Sequence, residues 1–159
     1  ERYARSAVEQ RGTRLPPLVI LGEVLFAKGR GDEALTLTDQ VQEEFNRRRN
    51  RDMSALKGVC LLRGKIFADR GDAERALAAF EQEIRLFPDQ LAAYTHLAVF
   101  YAIVEKPQEV RNTLQRMIAA NPSAPAYAEA VRTFRVLKDE ASAKRLLDEA
   151  RRRALELLD

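Results

Sequence analysis

The chain reads KGVCLLRGKIFADRGDAERALAAFEQEIRLFPDQ over residues 57–90, and the next 34 residues follow the same pattern of large and small side chains. The positions that recur are packing positions rather than reactive ones. They pair Gly64 with Ala98, Phe67 with Tyr101, Ala76 with Val110, Phe80 with Leu114, and Pro88 with Pro122. A period of about 20–50 residues is typical of a solenoid, in which each unit buries its apolar face against its neighbours. The pattern therefore predicts an array of similar helical units.

The composition is that of a folded, soluble protein. The 159 residues are 46% hydrophobic and 32% charged, with a net charge of +3 and a pI near 9.2. The basic and acidic groups are spread evenly along the chain, so no block is strongly basic. No uncharged run is long enough to span a bilayer, and we expect no membrane insertion. The compartment stays open between cytoplasm and periplasm.

Two features suggest the context of the chain. It begins with Glu1 rather than Met, so we expect a fragment of a longer protein. Arginine strongly outnumbers lysine and alanine is abundant, which suggests a bacterial source with GC-rich DNA.

Apolar residues at helical spacing, separated by Gly, Pro and Asp signals, predict about nine helices and no strand. Connections of a few residues make successive helices antiparallel neighbours. The predicted fold class is therefore all-α, built of helix pairs. The predicted helices cover about 1–11, 16–29, 32–48, 52–69, 72–86, 89–104, 107–120, 124–137 and 139–158.

The recurring positions resemble the tetratricopeptide repeat, a 34-residue unit with a small residue at position 8, large residues at 11 and 24, and proline at 32. Two departures are Glu83 at position 27 and Val110 at position 20, where the family has Ala. The resemblance implies a right-handed superhelical solenoid of antiparallel helix pairs. The implied single array divides into 1–14 (second helix of a truncated upstream repeat), 15–56 (repeat with extended helices), 57–90, 91–123, and 124–159 (repeat with a long C-terminal helix).

One spacing breaks the period. From Leu15 to Lys57 is 42 residues, eight more than one repeat, and the extra residues lie at about 46–55 beside the arginine-rich stretch 47–51. The helices on either side could be longer, or a basic loop could project and bind a partner. We favour longer helices because Met53 and Leu56 continue an apolar face.

No constellation of reactive side chains is visible. The chain has one histidine, His96, and one cysteine, Cys60, which is too few for a typical zinc site and lends little support to a Cys–His pair. Cys60 lies among aliphatic residues and is predicted to be a small core residue. We expect no enzymatic activity, no cofactor and no metal.

By resemblance, the concave groove is lined by positions 2, 5, 6, 9, 12 and 13 of each first helix. These positions predict a mixed, partly apolar groove with a basic end. The candidate groove residues are Val19, Glu23, Phe26, Leu61, Leu62, Lys65, Asp69, Thr95, His96, Val99, Ile103, Glu129, Arg132 and Arg135.

The sequence thus predicts a protein–protein interaction scaffold that binds a peptide or a partner helix in its groove. One alternative is a module of a larger multidomain protein, such as an enzyme or a secretion or assembly factor, whose active domain lies elsewhere. A minor alternative is nucleic-acid binding through the arginines at 47–51 and 151–153. Self-association is a further option, because the last helix carries an apolar stripe of Leu146, Leu147, Ala150, Ala154, Leu155 and Leu158.

Overall fold

The computed structural model describes residues 15–47 and 52–156, which form α-helices joined by short connections and contain no strand. The all-α prediction is confirmed for these ranges. The helix predicted at about 1–11 and residues 48–51 of the arginine-rich stretch lie outside them. The helices are α1 Leu15–Ala27, α2 Gly31–Arg47, α3 Val59–Asp69, α4 Ala73–Leu86, α5 Leu91–Ile103, α6 Pro107–Ala120, α7 Ala124–Val136 and α8 Glu140–Glu156.

The helices pair as four hairpins, α1/α2, α3/α4, α5/α6 and α7/α8, and each hairpin turns in the same way. The amide after each left-handed turn residue donates to a carbonyl five residues back, as Asp72 N does to Phe67 O at 2.9 Å. This is the hydrogen bond of a helix C-terminal cap. Such a backbone favours glycine, but the hairpins α5/α6 and α7/α8 adopt it at residues other than glycine. The turn residues are Gly29 (φ 74°), Gly71 (φ 73°), Glu105 (φ 57°) and Lys138 (φ 61°).

The chain divides into two compact units, Glu1–Leu86 and Phe87–Asp159. In the first unit, α3 packs against both α1 and α2. The core between these hairpins combines Leu21, Leu25 and Ala34 with Leu62 and Ile66. The first helices of the two hairpins, α1 and α3, therefore pack against each other, as the predicted stacking of hairpins requires.

Two basic side chains of α3 and one from the residue that follows it also connect the two hairpins of the first unit. Each contacts an acidic residue of α1 or α2, across the junction that the core fills. Partly exposed ion pairs of this kind contribute at most about 1 kcal/mol each to the stability of the folded chain. Their main effect is therefore to favour one alignment of the two hairpins over others. The contacts are Lys65 with Glu23, Arg63 with Asp39 and with Thr38 (Nε to Oγ1, 2.9 Å), and Arg70 with Asp32 (Nη2 to Oδ1, 2.5 Å).

In the second unit, α7 packs against both α5 and α6. The alanines Ala126 and Ala130 of α7 have no exposed surface, and small side chains allow helices to approach closely. Leu97 and Leu114 fill the first hairpin of this unit and are fully buried. The turn before α7 is held by Asn121, whose Nδ2 donates to the carbonyl oxygen of Pro88 at 2.7 Å.

The connection between α2 and α3 differs from the favoured prediction of longer helices. Helix α2 reaches Arg47 as expected, but α3 begins at Val59 rather than near residue 52. A short 3₁₀ helix, Met53–Leu56, stands between them, and Asp52 caps it by accepting a hydrogen bond from Ser54 N at 3.0 Å. Gly58 has a left-handed backbone (φ 92°), which prevents α3 from extending towards the N-terminus beyond Val59.

The N-terminus of α3 is capped by a carboxylate from its partner helix. Glu83 of α4 is fully buried, and its two oxygens accept hydrogen bonds from the amides of Gly58 (2.6 Å), Cys60 (3.0 Å) and Leu61 (3.1 Å). Gly58 has no side chain with which to do this. Burial raises the pKa of Glu83, and these three hydrogen bonds oppose that shift. The acidic residue at repeat position 27 is therefore a cap.

Candidate interaction surfaces

All of the sequence-predicted groove residues lie on the first helices of the hairpins, α1, α3, α5 and α7. Because the two units are described separately, they provide two surfaces. We call the surface of α1 and α3 the first surface, and that of α5 and α7 the second surface.

The first surface is built around an ion pair and an aromatic ring. Lys65 pairs with Glu23, and its Nζ lies 5.7 Å from the centroid of the Phe26 ring. A cation over a ring face is attracted by the quadrupole of the ring. This cluster joins α1 to α3 and leaves a surface of mixed character, beside the half-buried Val19 and the exposed Asp69.

Two of the predicted residues do not reach the first surface. Leu61 is 6% exposed and Leu62 is fully buried. Leu62 belongs to the core between the hairpins, and its Cδ2 lies only 2.6 Å from the point where a Cβ on Gly22 would stand. The glycine therefore makes room for this leucine. We leave Leu61 and Leu62 out of the proposed binding surface.

The second surface has a polar part at which α5 and α7 are bonded to each other. The hydroxyl of Thr95 donates to Glu129, with Oγ1 and Oε1 3.2 Å apart. Glu129 also pairs with Arg132, and this pairing raises the pKa of the guanidinium. Arg135 lies 4.0 Å from Glu140. Arg132 and Arg135 remain exposed, so this part of the surface is basic.

The second surface also has an apolar part. Ile103 is 73% exposed and Val136 is 69% exposed, and both occupy position 13 of their repeats at the ends of neighbouring first helices. Val99 is half-buried one turn before Ile103. Single exposed apolar residues are common, but two at equivalent positions of adjacent helices form a repeated feature.

Val136 and Ile20 are missing from the sequence-predicted set, although the same rule selects them. Ile20, at position 6 of its repeat, is 59% exposed. The rule of repeat positions was sufficient to find both residues. Neither stands out in the sequence, because a valine or isoleucine in a helix is expected in the core.

A trough runs between α7 and α8 in the second unit. Along α7 its lining residues recur every three or four positions, which places them on one stripe of the helix. The floor is largely apolar, and the charged residues that line it are all arginines. The lining residues are Pro122, Ser123, Ala124, Tyr127, Ala128, Val131, Arg132, Arg135, Val136, Leu147, Ala150 and Arg153.

The single thiol shows no sign of reactivity. Cys60 is 6% exposed, and burial together with the charge of Glu83 raises its pKa to about 11. The thiolate, which is the reactive form, is therefore scarce at neutral pH. Among the described residues there is no group of three or more His, Cys, Asp or Glu side chains suited to a metal ion. No helix in residues 15–47 and 52–156 is long and apolar enough to cross a membrane.

These features define an all-helical repeat fold of the tetratricopeptide-like solenoid class. The fold is similar to the crystal structure of MamA, with a TM-score of 0.58 over 99% of this chain and 88% of that chain. Sequence identity over the match is 14%, so the similarity concerns the fold. No family model matches the chain, and no curated protein matches its sequence.

Proposed function

We propose that the chain is a non-catalytic protein–protein interaction scaffold, and that the second surface binds a peptide or a partner helix. The observation that carries this proposal is the exposure of Ile103 and Val136 at equivalent positions of neighbouring first helices. An apolar patch on a rigid helical array gains free energy when a partner covers it. The fold supports the same function, since helical repeats present extended surfaces for partners.

The charges beside the patch indicate the kind of partner. Arg132 and Arg135 are exposed; on α7, Arg135 is next to Val136 in the chain and Arg132 lies one turn before it. Arginine presents several donors that match carboxylates in pairs. We therefore propose a partner segment that combines apolar side chains with acidic ones. A domain elsewhere in a longer protein could supply such a segment as well as a separate protein could.

Nucleic-acid binding is less well supported. Three of the four described arginines of the two clusters are paired within their own helices: Arg47 with Glu43 at 3.3 Å, Arg151 with Asp148 at 3.6 Å, and Arg153 with Glu149 at 3.2 Å. The acidic partners reduce the local positive potential that phosphates require. Residues 48–51 lie outside the described ranges.

Selection of displayed random peptides on the chain tests the proposal. The selected peptides are then titrated against the wild type, Ile103→Asp and the control Ala119→Asp. Ala119 is exposed on the second helix α6, away from the first helices. We expect Ile103→Asp to weaken binding by about tenfold or more, because a carboxylate replaces a buried apolar contact. Ala119→Asp should leave binding unchanged. Failure to select any peptide, or equal binding to Ile103→Asp, contradicts the proposal.

A further inference from the structure

The trough between α7 and α8 has the dimensions of a site for one helix. Its stripe on α7 runs from Ala124 to Val136, which is about 18 Å at 1.5 Å per residue. The facing wall is formed by Leu147, Ala150 and Arg153 of α8. Two antiparallel helices with their stripes side by side form a groove that accommodates a third helix of about three turns.

The floor of the trough is apolar but not closed. Tyr127, Leu147 and Ala150 are half-buried, and Val136 is largely exposed. Covering the apolar middle of this stripe removes apolar surface from water.

The charge around the trough selects its occupant. Arg132, Arg135 and Arg153 line it, and no acidic residue among those that the structure describes does so. In contrast, the cleft between α6 and α8 is lined by Arg145, Arg152 and also Arg153, together with two acidic residues. A guanidinium has five N–H donors, so an arginine that pairs with one carboxylate has donors left for a second.

Arg153 is held in position before any partner arrives. Its guanidinium pairs with Glu149 at 3.2 Å and lies 5.8 Å from the centroid of the Tyr127 ring. The hydroxyl of Tyr127 donates to the same carboxylate at 3.2 Å. A cation whose position is already fixed loses less conformational entropy when it binds a carboxylate.

We propose that the trough between α7 and α8 binds one amphipathic α-helix whose apolar stripe covers the floor and whose flanking carboxylates pair with Arg132, Arg135 and Arg153. This site shares Arg132, Arg135 and Val136 with the second surface and differs from it by its wall on α8. Arg153 lies outside the second surface, and Ile103 lies outside the trough. Variants of these two residues therefore separate the two proposals.

The test uses a fluorescent helical peptide of about 14 residues, roughly four turns, with leucine every three or four positions and glutamate on both flanks. A second peptide has lysine in place of each glutamate. We expect the acidic peptide to bind at least about tenfold more tightly than the basic one in fluorescence anisotropy titrations. Arg153→Glu should weaken binding of the acidic peptide by about tenfold and strengthen binding of the basic one.

Arg151→Glu is the matched control. It makes the same change of charge two residues away on α8, at a residue that does not line the trough. It should change the affinity by no more than about twofold. Far-UV circular dichroism checks that both variants are folded. If Arg153→Glu does not fold, the peptide comparison on the wild type and the footprint below still decide the question.

A footprint locates the peptide on the protein. Ala128 lines the trough and is exposed, so Ala128→Cys introduces an accessible thiol, whereas Cys60 is buried. The acidic peptide should slow alkylation at position 128, and it should not slow alkylation of Ala141→Cys, an exposed position of α8 outside the trough. Absence of binding, equal binding of both peptides, or an unprotected position 128 overturns the proposal. The molar mass of the protein in solution could also rise with concentration, and Arg153→Glu could abolish that rise. This result would identify a second copy of the chain as the occupant and would also overturn the proposal.

Discussion

At the scale of single residues, Glu83 shows how a departure from a repeat pattern acquires a structural role. The family pattern has alanine at this position, and the chain has a buried carboxylate that caps the neighbouring helix. A consensus replacement often stabilises a protein. At this position the reverse is expected, because the N-cap residue of the capped helix is a glycine and provides no side-chain cap of its own.

We predict that Glu83→Ala lowers the free energy of unfolding by about 2 kcal/mol or more at neutral pH. The substitution leaves three amides without an acceptor, two of them buried, and each unsatisfied buried donor costs about 1–3 kcal/mol. Chemical denaturation measures the change. Gln82→Ala, at the exposed neighbouring position of α4, is the control and should stay within about 0.5 kcal/mol of the wild type. Equal stability of the two variants would contradict the capping role.

The same residue predicts a dependence on pH. Burial raises the pKa of Glu83 in the folded state above its ordinary value of 4.5. The folded state therefore binds this proton more tightly than the unfolded state does, and this contribution to stability is lost as the pH rises through the raised pKa. The stability advantage of the wild type over Glu83→Gln should be larger at pH 4 than at pH 7. The difference between the two proteins cancels the effects of other carboxylates. A smaller advantage at pH 4 would show that the hydrogen bonds outweigh burial.

At the scale of helices, the approach of the two helices in a hairpin depends on a small residue. A Cβ added at Gly64 of α3 would lie 2.5 Å from the Cδ1 and Cε1 atoms of Phe80 in α4. Phe80 is 1% exposed, so its ring has little room to move. The family pattern allows Gly or Ala at this position, but this hairpin is packed too closely for Ala.

We predict that Gly64→Ala lowers the free energy of unfolding by about 1–3 kcal/mol through overpacking. Gly31→Ala is the matched comparison, because its Cβ would meet Ile66 at 3.5 Å and Arg70 at 3.7 Å, which are ordinary contacts. Gly31 is the first residue of α2, and alanine there should stabilise the protein by about 0.4–1 kcal/mol. Thermal unfolding of the two variants should therefore shift in opposite directions. Shifts in the same direction would contradict the packing argument.

The helices were predictable from the sequence, because periodicity and turn signals lie within each segment. The connection before α3 was not predictable in this way. The backbone of Gly58 fixes where α3 begins, and Glu83, which is distant in the sequence, caps that N-terminus. Leu61 and Leu62 show the corresponding limit for the surface. A repeat position predicts which side of an average helix a residue faces. It does not contain the space beside Gly22, which allows Leu62 to pack into the core between the hairpins.

The trough was less predictable than the groove for a related reason. Tyr127 and Val131 of its stripe stand at positions 4 and 8 of the repeat that begins at Ala124, so the sequence assigns them a place in the repeat. Whether such a stripe is covered depends on which helix lies beside it, and a single repeat does not contain that information. Only the folded second unit shows that the lining arginines converge on this stripe from both α7 and α8.

At the scale of the whole molecule, the two compact units predict how stability is distributed along the chain. Each hairpin packs mainly within itself and against the next hairpin of its unit. In a repeat protein, stability is approximately the sum of unit and nearest-neighbour terms. A loss of packing in one unit should therefore promote local opening there first.

Leu62 and Leu114 allow a reciprocal test, since both are fully buried leucines and they lie in different units. Each Leu→Ala substitution should cost about 2–5 kcal/mol in local packing. We predict that Leu114→Ala raises amide hydrogen exchange mainly in α5–α8, and that Leu62→Ala raises it mainly in α1–α4. Exchange followed by mass spectrometry of peptides from both units measures this. The same uniform rise along the whole chain for both variants would mean that the chain opens as one cooperative block. The two units would then be separate clusters of contacts that unfold together.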